Sequence, residues 1–195
     1  NDQPIKWREE QLKRLFQLLE VGPEPVDAII DWIDKNSDTR GFGGAEDETY
    51  QQLESPYSAK NGPMDTLKEL LFIKGIPTEV YEKILPYVTI YPDSTDKAFF
   101  GKMNVNTADA LILQSMDIDE SAIERLMRER PYKQDTLANF KAVLPPNQDV
   151  GLFGALGFQS HIFSMTAAGT VRNTKKTVYT VWDRDKKKLL HFQLE

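Results

Sequence analysis

Between Asp31 and Glu54 the sequence holds seven acids (Asp31, Asp34, Asp38, Glu46, Asp47, Glu48, Glu54) and two bases (Lys35, Arg40), a local net charge of −5. The whole chain of 195 residues carries only −6, so one segment holds nearly all of the imbalance. Within it, Asp34-Lys35-Asn36-Ser37-Asp38 places oxygen side chains at every second position, as at the opening of a calcium loop, where a turning backbone brings alternate oxygens to a common centre. Gly43-Gly44 then lets the chain fold back, so that Glu46, Asp47 and Glu48 complete a shell of about six to eight oxygens. The EF-hand rule is not met, since Thr39 stands at the sixth position and Ala45 at the twelfth. The expectation is an irregular calcium site, of a size and ligand number that disfavour magnesium. The alternative is a solvated acidic loop in which Asp, Asn and Ser only terminate a helix ending near Ile33.

Other chemistry is thinly supplied. With no cysteine and two histidines (His161, His191), the chain has no Cys nucleophile, disulfide framework or iron–sulfur ligands, and a structural zinc site is nearly excluded. Ser160-His161 are sequence neighbours, which does not place a base on a nucleophile. Paired carboxylates are abundant only in the acidic loop, where ion binding explains them better than acid/base work needing two separated pKa values. No Walker A or Rossmann glycine pattern is present. No basic stripe accompanies the helical hairpins described below, so nucleic acid is not an expected partner. No run approaches the ~20 apolar residues of a membrane span. The opening at Asn1, without an initiator Met, gives the expectation of a processed or trimmed fragment.

The elements that would carry the loop follow from apolar spacing. Trp7, Leu12, Leu15, Phe16 and Leu19, then Val26, Ile29, Ile30 and Ile33, recur every three or four residues on either side of Gly22-Pro23-Glu24-Pro25, which reads as helix, turn, helix. Periodicity lapses over 34–64, a loop of about thirty residues, long enough to be functional or to need an ion for its order. Helical spacing returns at 66–73 and 78–88 around Gly75-Ile76-Pro77, and again at 107–116 and 118–130, an offset of 41 to 42 residues that reads as a repeated hairpin. A short helix is expected at 136–144 and a glycine-rich connector at 147–157. The segments 161–167, 177–182 and 188–194 are β-branched, aromatic or alternating, and predict three antiparallel strands in a meander. In the last, Leu190, Phe192 and Leu194 alternate with Leu189, His191 and Gln193, so one face is expected to be covered. A sheet with one apolar face needs a second layer, and its best candidate is a helix on the N-terminal side of Asn1.

Three strings in this order resemble one known family: Ala28-Ile29-Ile30-Asp31-Trp32-Ile33-Asp34-Lys35-Asn36, Gly43-Gly44-Ala45-Glu46-Asp47-Glu48-Thr49-Tyr50, and Ser55-Pro56-Tyr57-Ser58-Ala59-Lys60-Asn61. They are similar to the GspK family of minor pseudopilins of type II secretion systems, as are Asn104-Val105-Asn106-Thr107-Ala108, Ser160-His161-Ile162-Phe163 and the segment 67–76. The resemblance runs from about Leu12 to the end of the chain. It implies an α+β fold: a pilin-like antiparallel sheet (158–195) interrupted by a large, mainly α-helical insertion (1–157). That insertion would hold the calcium loop (31–64) and two helix-hairpin-helix or SAM-like units (66–88, 107–130). It implies a periplasmic, non-enzymatic protein at the tip of the pseudopilus, held in the inner membrane by an N-terminal helix outside this sequence. GspI-like and GspJ-like minor pseudopilins are the implied partners, and secreted cargo a further contact. The ligands carried over are Asp34, Asn36, Asp38, Glu46 and Asp47 for a structural Ca2+, with Asp31 either a ligand or a cap on its helix. Asn36 stands where the family more usually has Asp, which removes one charge from the site. A calcium-stabilised adhesion module of unrelated descent is the rival reading of the same acids.

Overall fold

The computed structural model describes residues 3–91, 102–133, 142–144 and 155–195. The helix expected at 136–144 and the connector at 147–157 lie largely outside the described residues. Helix α1 (Gln3–Leu18) and helix α2 (Glu24–Ile33) stand where the apolar spacing places them. They are separated by a turn in which Gly22 takes φ +87°, a conformation costly for any residue with a Cβ. Pro25 lies in the first turn of α2, where its missing N–H costs no hydrogen bond.

The long loop is not bare. A one-turn helix, α3 (Asp47–Gln51), interrupts it, and its Tyr50 is buried. The segment expected as a helix at 66–73 is instead a 3-10 helix, Leu67–Phe72, opened by a capping box in which Thr66 and Glu69 satisfy each other's backbone N–H groups. Then come α4 (Thr78–Ile84), a 3-10 turn (Leu85–Tyr87), α5 (Ala110–Ser115) and α6 (Glu120–Arg128). The repeated hairpin is visible in the backbone: Gly75 and Asp117, 42 residues apart, both adopt positive φ (+83° and +65°), and the Ile76 and Ile118 that follow are both buried.

Two apolar cores result. The first gathers Phe16, Val26, Ile29, Trp32, Tyr50, Leu70, Ile76 and Ile84, and so closes α1, α2, the acidic loop and the first hairpin around one centre. The second gathers Val105, Leu113, Met116, Ile118, Leu126 and Leu156, with Trp7 and Phe158 packed against it. Helix α1 serves both, through Trp7 near its start and Phe16 near its end. Its contact with α5 is polar: Gln11 Nε2 donates to Ser115 Oγ at 3.3 Å and Arg14 Nε to the Ser115 carbonyl at 2.8 Å. A two-residue parallel pair, β1 (Met103–Asn104) with β2 (Leu156–Gly157), ties the second hairpin to the chain that leads into the sheet.

That sheet is a meander of β3 (Ile162–Val171), β4 (Thr174–Asp183) and β5 (Lys188–Leu194) in the order β3-β4-β5. Register places Phe163, Met165, Trp182, Val178, Phe192 and Leu194 on one face. A bulge at Val181/Trp182 sets Leu189 opposite Trp182 and brings it to the same face, so Leu189 and Leu190 do not divide as strict alternation expects. Among the described residues this face is open, and Met165, Phe192 and Leu194 are each more than half exposed. The opposite face buries Val181 and Asp183.

Candidate metal centre

Helix α2 delivers Asp31 to the interior, where it is wholly inaccessible to solvent. Its Oδ2 accepts from the backbone N–H of Ala45 at 2.8 Å and of Arg40 at 3.2 Å, so one carboxylate oxygen folds the acidic loop back onto the helix that precedes it. Its Oδ1, equally buried, has no hydrogen-bond partner among the described residues. The loop can approach this closely because of its glycines: a Cβ at Gly44 would overlap the Arg40 carbonyl and stand 2.5 Å from Asp31 Oδ2, and one at Gly43 would overlap the Glu24 carbonyl.

Glu46 follows two residues after Gly44 and is 4% exposed, and both of its carboxylate oxygens are buried with no donor among the described residues. Burial pushes its carboxyl above the ordinary range, and the surrounding charges of Asp31, Asp34, Asp47 and Asp38 push it in the same direction. Asp31 is likewise raised, by burial first and by Asp34, against the opposing pull of the two backbone N–H groups. Among the described residues, three carboxylate oxygens are thus desolvated with no hydrogen-bond donor on them. Such groups are costly unless neutralised.

The other expected ligands lie outward. Asp34 is half-buried, and its Oδ1 accepts from the Asn36 N–H at 3.1 Å; Asn36 is exposed, and its Oδ1 accepts from the Asp38 N–H at 2.8 Å. These successive side-chain turns hold 34–38 in a tight curve. Asp47 is exposed, and its Oδ1 accepts from the Ala59 N–H at 2.7 Å, pinning the far end of the loop. Among the described residues no three acidic or histidine side chains already converge on one point as placed. The six residues are therefore neighbours in one field, with Asp31 and Glu46 inside and Asp34, Asn36, Asp38 and Asp47 around the rim. Their chemistry fits an oxygen-seeking cation: all are oxygen donors, five carry charge, and three oxygens lack partners.

Sequence spacing pointed to none of the supports. Arg40 reaches across to α1, its Nη2 meeting Glu9 Oε2 at 2.7 Å, and Lys13 of α1 meets Asp27 of α2 at 3.4 Å. Lys74 Nζ donates to the Gly44 carbonyl at 3.1 Å. Beneath the loop, Trp32, Tyr50 and Tyr57, one from each of the three resembling strings, form a cluster with centroids 5.4, 6.2 and 5.2 Å apart. The signal for that cluster was the aromatic in each string, although spacing alone did not say that the three would meet.

With this geometry in view, residues 1–93 match the family described as type II secretion system (T2SS), protein K. The chain is 26% identical over 189 residues to the type II secretion system protein K of Aeromonas hydrophila, covering 94% of this chain and 56% of that protein. It is 30% identical over 145 residues to the protein K of Pectobacterium carotovorum subsp. carotovorum, covering 70% of this chain and 42% of that one. The chain thus spans about half the length of the curated relatives it matches. Its fold is similar to a chain in the solved GspK-GspI-GspJ complex from the enterotoxigenic Escherichia coli type 2 secretion system. That similarity has a TM-score of 0.70 at 20% identity, over 95% of this chain and 67% of that one.

Proposed function

We propose that the chain, whose residues 1–93 match the type II secretion system protein K family, acts as a minor pseudopilin at the tip of the pseudopilus, where it assembles with GspI-like and GspJ-like subunits. Its work is mechanical, to start assembly of the pseudopilus and support export across the outer membrane, and it catalyses no reaction. The sheet is the pilin-like part, and the helical region from α1 to β2 is an insertion in it. The full-length protein stands in the periplasm, anchored in the inner membrane by an apolar N-terminal helix.

The observation that carries this reading is the uncovered apolar face of the sheet. Phe163, Met165, Phe192, Leu194 and Leu189 are all substantially exposed on one side of three strands. An apolar face of this extent on a small sheet calls for a second layer or a partner. A packed N-terminal helix supplies that layer, and neighbouring subunits meet what remains.

A structural calcium ion belongs to the same proposal. Asp31 through Oδ1 and Glu46 would hold it from inside, with Asp34, Asn36, Asp38 and Asp47 from the rim. The ion supplies positive charge where Asp31 and Glu46 otherwise repel each other, and so fixes the fold of 34–64. The test of function is direct: the full-length protein is mixed with the cognate GspI-like and GspJ-like subunits and passed over a sizing column with light scattering. A ternary complex of one copy each supports the reading. Independent elution of all three sinks it.

A further inference from the structure

An arginine borders the candidate cation site without entering it. Between Asp31 and Glu54 the bases are Lys35 and Arg40. Lys35 is exposed, whereas Arg40 stands at the edge of the buried carboxylates, its own backbone N–H 3.2 Å from Asp31 Oδ2. Its charge is felt there: burial raises the Asp31 carboxyl, and the Arg40 guanidinium is among the groups that pull it back down. Asp31 Oδ1 and both Glu46 oxygens are buried with no hydrogen-bond donor among the described residues. A guanidinium, with five N–H donors in a planar fork that matches a carboxylate, is the side chain best suited to them. It nevertheless points elsewhere.

Helix α1 turns it away. Arg40 Nη2 meets Glu9 Oε2 at 2.7 Å, across 31 residues of sequence. The other Glu9 oxygen meets Lys13 Nζ at 2.9 Å, one turn along α1, and Lys13 in turn reaches Asp27 of α2 at 3.4 Å. The Glu9 side chain is 17% exposed, so salt screens this pair less than one in open water. Burial pushes the Glu9 carboxyl up, but the hydrogen bonds and charges of Lys13 and Arg40 outweigh burial and hold it below the ordinary range, so Glu9 is ionised at neutral pH. The backbone is shaped for this pairing. Gly41, next after Arg40, takes φ +45°, and a Cβ there would stand 2.6 Å from Asp27 Oδ2, which brings the chain at 40–41 against the residue that Lys13 meets. Lys60 and Lys74, which also reach the loop, are occupied as well, by Asp65 and Glu69 and by the Gly44 carbonyl.

We propose that Glu9 is a positioning residue for the cation site: by holding the Arg40 guanidinium against α1, it leaves the buried oxygens of Asp31 and Glu46 to a divalent ion. The proposal rests on the calcium reading above and adds to it a determinant of affinity that lies outside the acidic loop. Buried carboxylates without donors draw in any positive charge within reach. Once the charge of Glu9 is removed, Arg40 turns onto them, and calcium binds only by displacing it. Removing the charge of Arg40 as well clears the site again.

The test titrates calcium calorimetrically into the chelator-stripped chain as parent, E9Q, R40Q and the E9Q/R40Q double variant. E9Q raises the dissociation constant about tenfold or more, as for other residues that act from behind a metal ligand. R40Q binds at least as tightly as the parent, since Glu9 keeps Lys13 as its partner. The double variant binds as R40Q does, so the loss in E9Q requires Arg40. Thermal melts separate this from damage to the fold: in excess EDTA the E9Q midpoint stays within about 3 °C of the parent, and in calcium it falls further behind. Equal calcium affinity of parent and E9Q overturns the proposal. So does an R40Q as weak as E9Q, which makes the pair a strut that orders the loop. A loss in E9Q that persists undiminished in the R40Q background also overturns it, because Glu9 then acts as a distant negative charge on its own. A fall of the E9Q midpoint in EDTA as large as that in calcium assigns Glu9 to the fold and overturns it too. A parent chain that takes up no calcium is a different failure, in which the ion reading falls and takes the proposal with it; the other outcomes leave calcium binding in place.

Discussion

Trp32 and Tyr50 meet edge to face, 5.4 Å between ring centroids and nearly perpendicular, and Tyr57 stacks on Tyr50 while also meeting Trp32. The pair joins α2, at the start of the acidic loop, to α3 within it, so the loop is held by an apolar clamp as well as by charge. Aromatic pairs of this geometry contribute about 0.5–1.5 kcal/mol beyond their burial.

Removing the clamp is therefore expensive. Trp32→Ala is expected to cost about 3–5 kcal/mol, as for other large-to-small changes in a core. Tyr50→Phe keeps the ring and loses only the buried hydroxyl that accepts from the Lys74 N–H at 3.4 Å, a loss of about 1 kcal/mol. Urea denaturation of the two variants beside the parent measures both. A Trp32→Ala cost no larger than that of Tyr50→Phe would show that the cluster does not hold the loop.

The ion proposal predicts opposite signs in two conditions. In excess EDTA, Glu46→Gln raises the melting midpoint, because it replaces a buried carboxylate with no donor by a neutral group. In calcium it lowers the midpoint relative to the parent, because the ligand is lost. The parent gains about 2.7 kcal/mol at a calcium concentration a hundredfold above Kd, and magnesium gives a smaller gain. Thermal melts of both proteins in the three conditions decide it, and a calcium gain that survives Glu46→Gln removes Glu46 from the site.

Glu69 gives a pH dependence of known sign. Burial pushes its carboxyl up, but Lys60 at 2.9 Å, the N–H groups of Asp65 and Thr66 and the Trp32 indole outweigh burial and hold it below 4.5. A carboxyl lowered on folding contributes stability that is present above its unfolded value and lost as pH falls through the folded one. Glu69→Gln is thus expected to be less stable than the parent by about 1–3 kcal/mol at pH 7, with the gap closing below about pH 4.5. Denaturant midpoints from pH 7 to pH 3 follow the gap. A constant difference would mean that the charge of Glu69 is not what stabilises the 67–72 turn.

Two glycines should behave oppositely. Gly44→Ala forces a methyl against the Arg40 carbonyl and Asp31 Oδ2, so the loop must move off Asp31, at a cost of about 1–3 kcal/mol. A Cβ at Gly169, in β3, meets nothing within 4 Å, and Gly169→Ala is expected to be neutral or slightly stabilising. Comparing the calorimetric midpoints of the two variants separates close packing from intrinsic strand preference.

The local elements were legible because they rest on local rules. Apolar spacing located α1, α2 and the three strands, Pro25 and Gly22 marked their boundary, and the 42-residue offset reappeared as matched left-handed turns at Gly75 and Asp117. The 3-10 form of 67–72 was not legible, since periodicity over six residues does not distinguish two helical pitches that differ by about half a residue per turn. Nor was α3, because five residues carry too little pattern to stand out from a loop.

Sequence alone thus determined which acids are crowded together and which segments are helix or strand, since both are properties of neighbours along the chain. Tertiary structure decided which of those acids are desolvated. Asp31 and Asp38 read alike in the string, yet the chain reversal at Gly43-Gly44 carries Ala45 and Arg40 back onto Asp31 and leaves Asp38 in water. It also decided that, among the described residues, the apolar face of the sheet is open and the outer edge of β3 unpaired. Burial and pairing depend on what arrives from far along the chain, and no local pattern records that arrival.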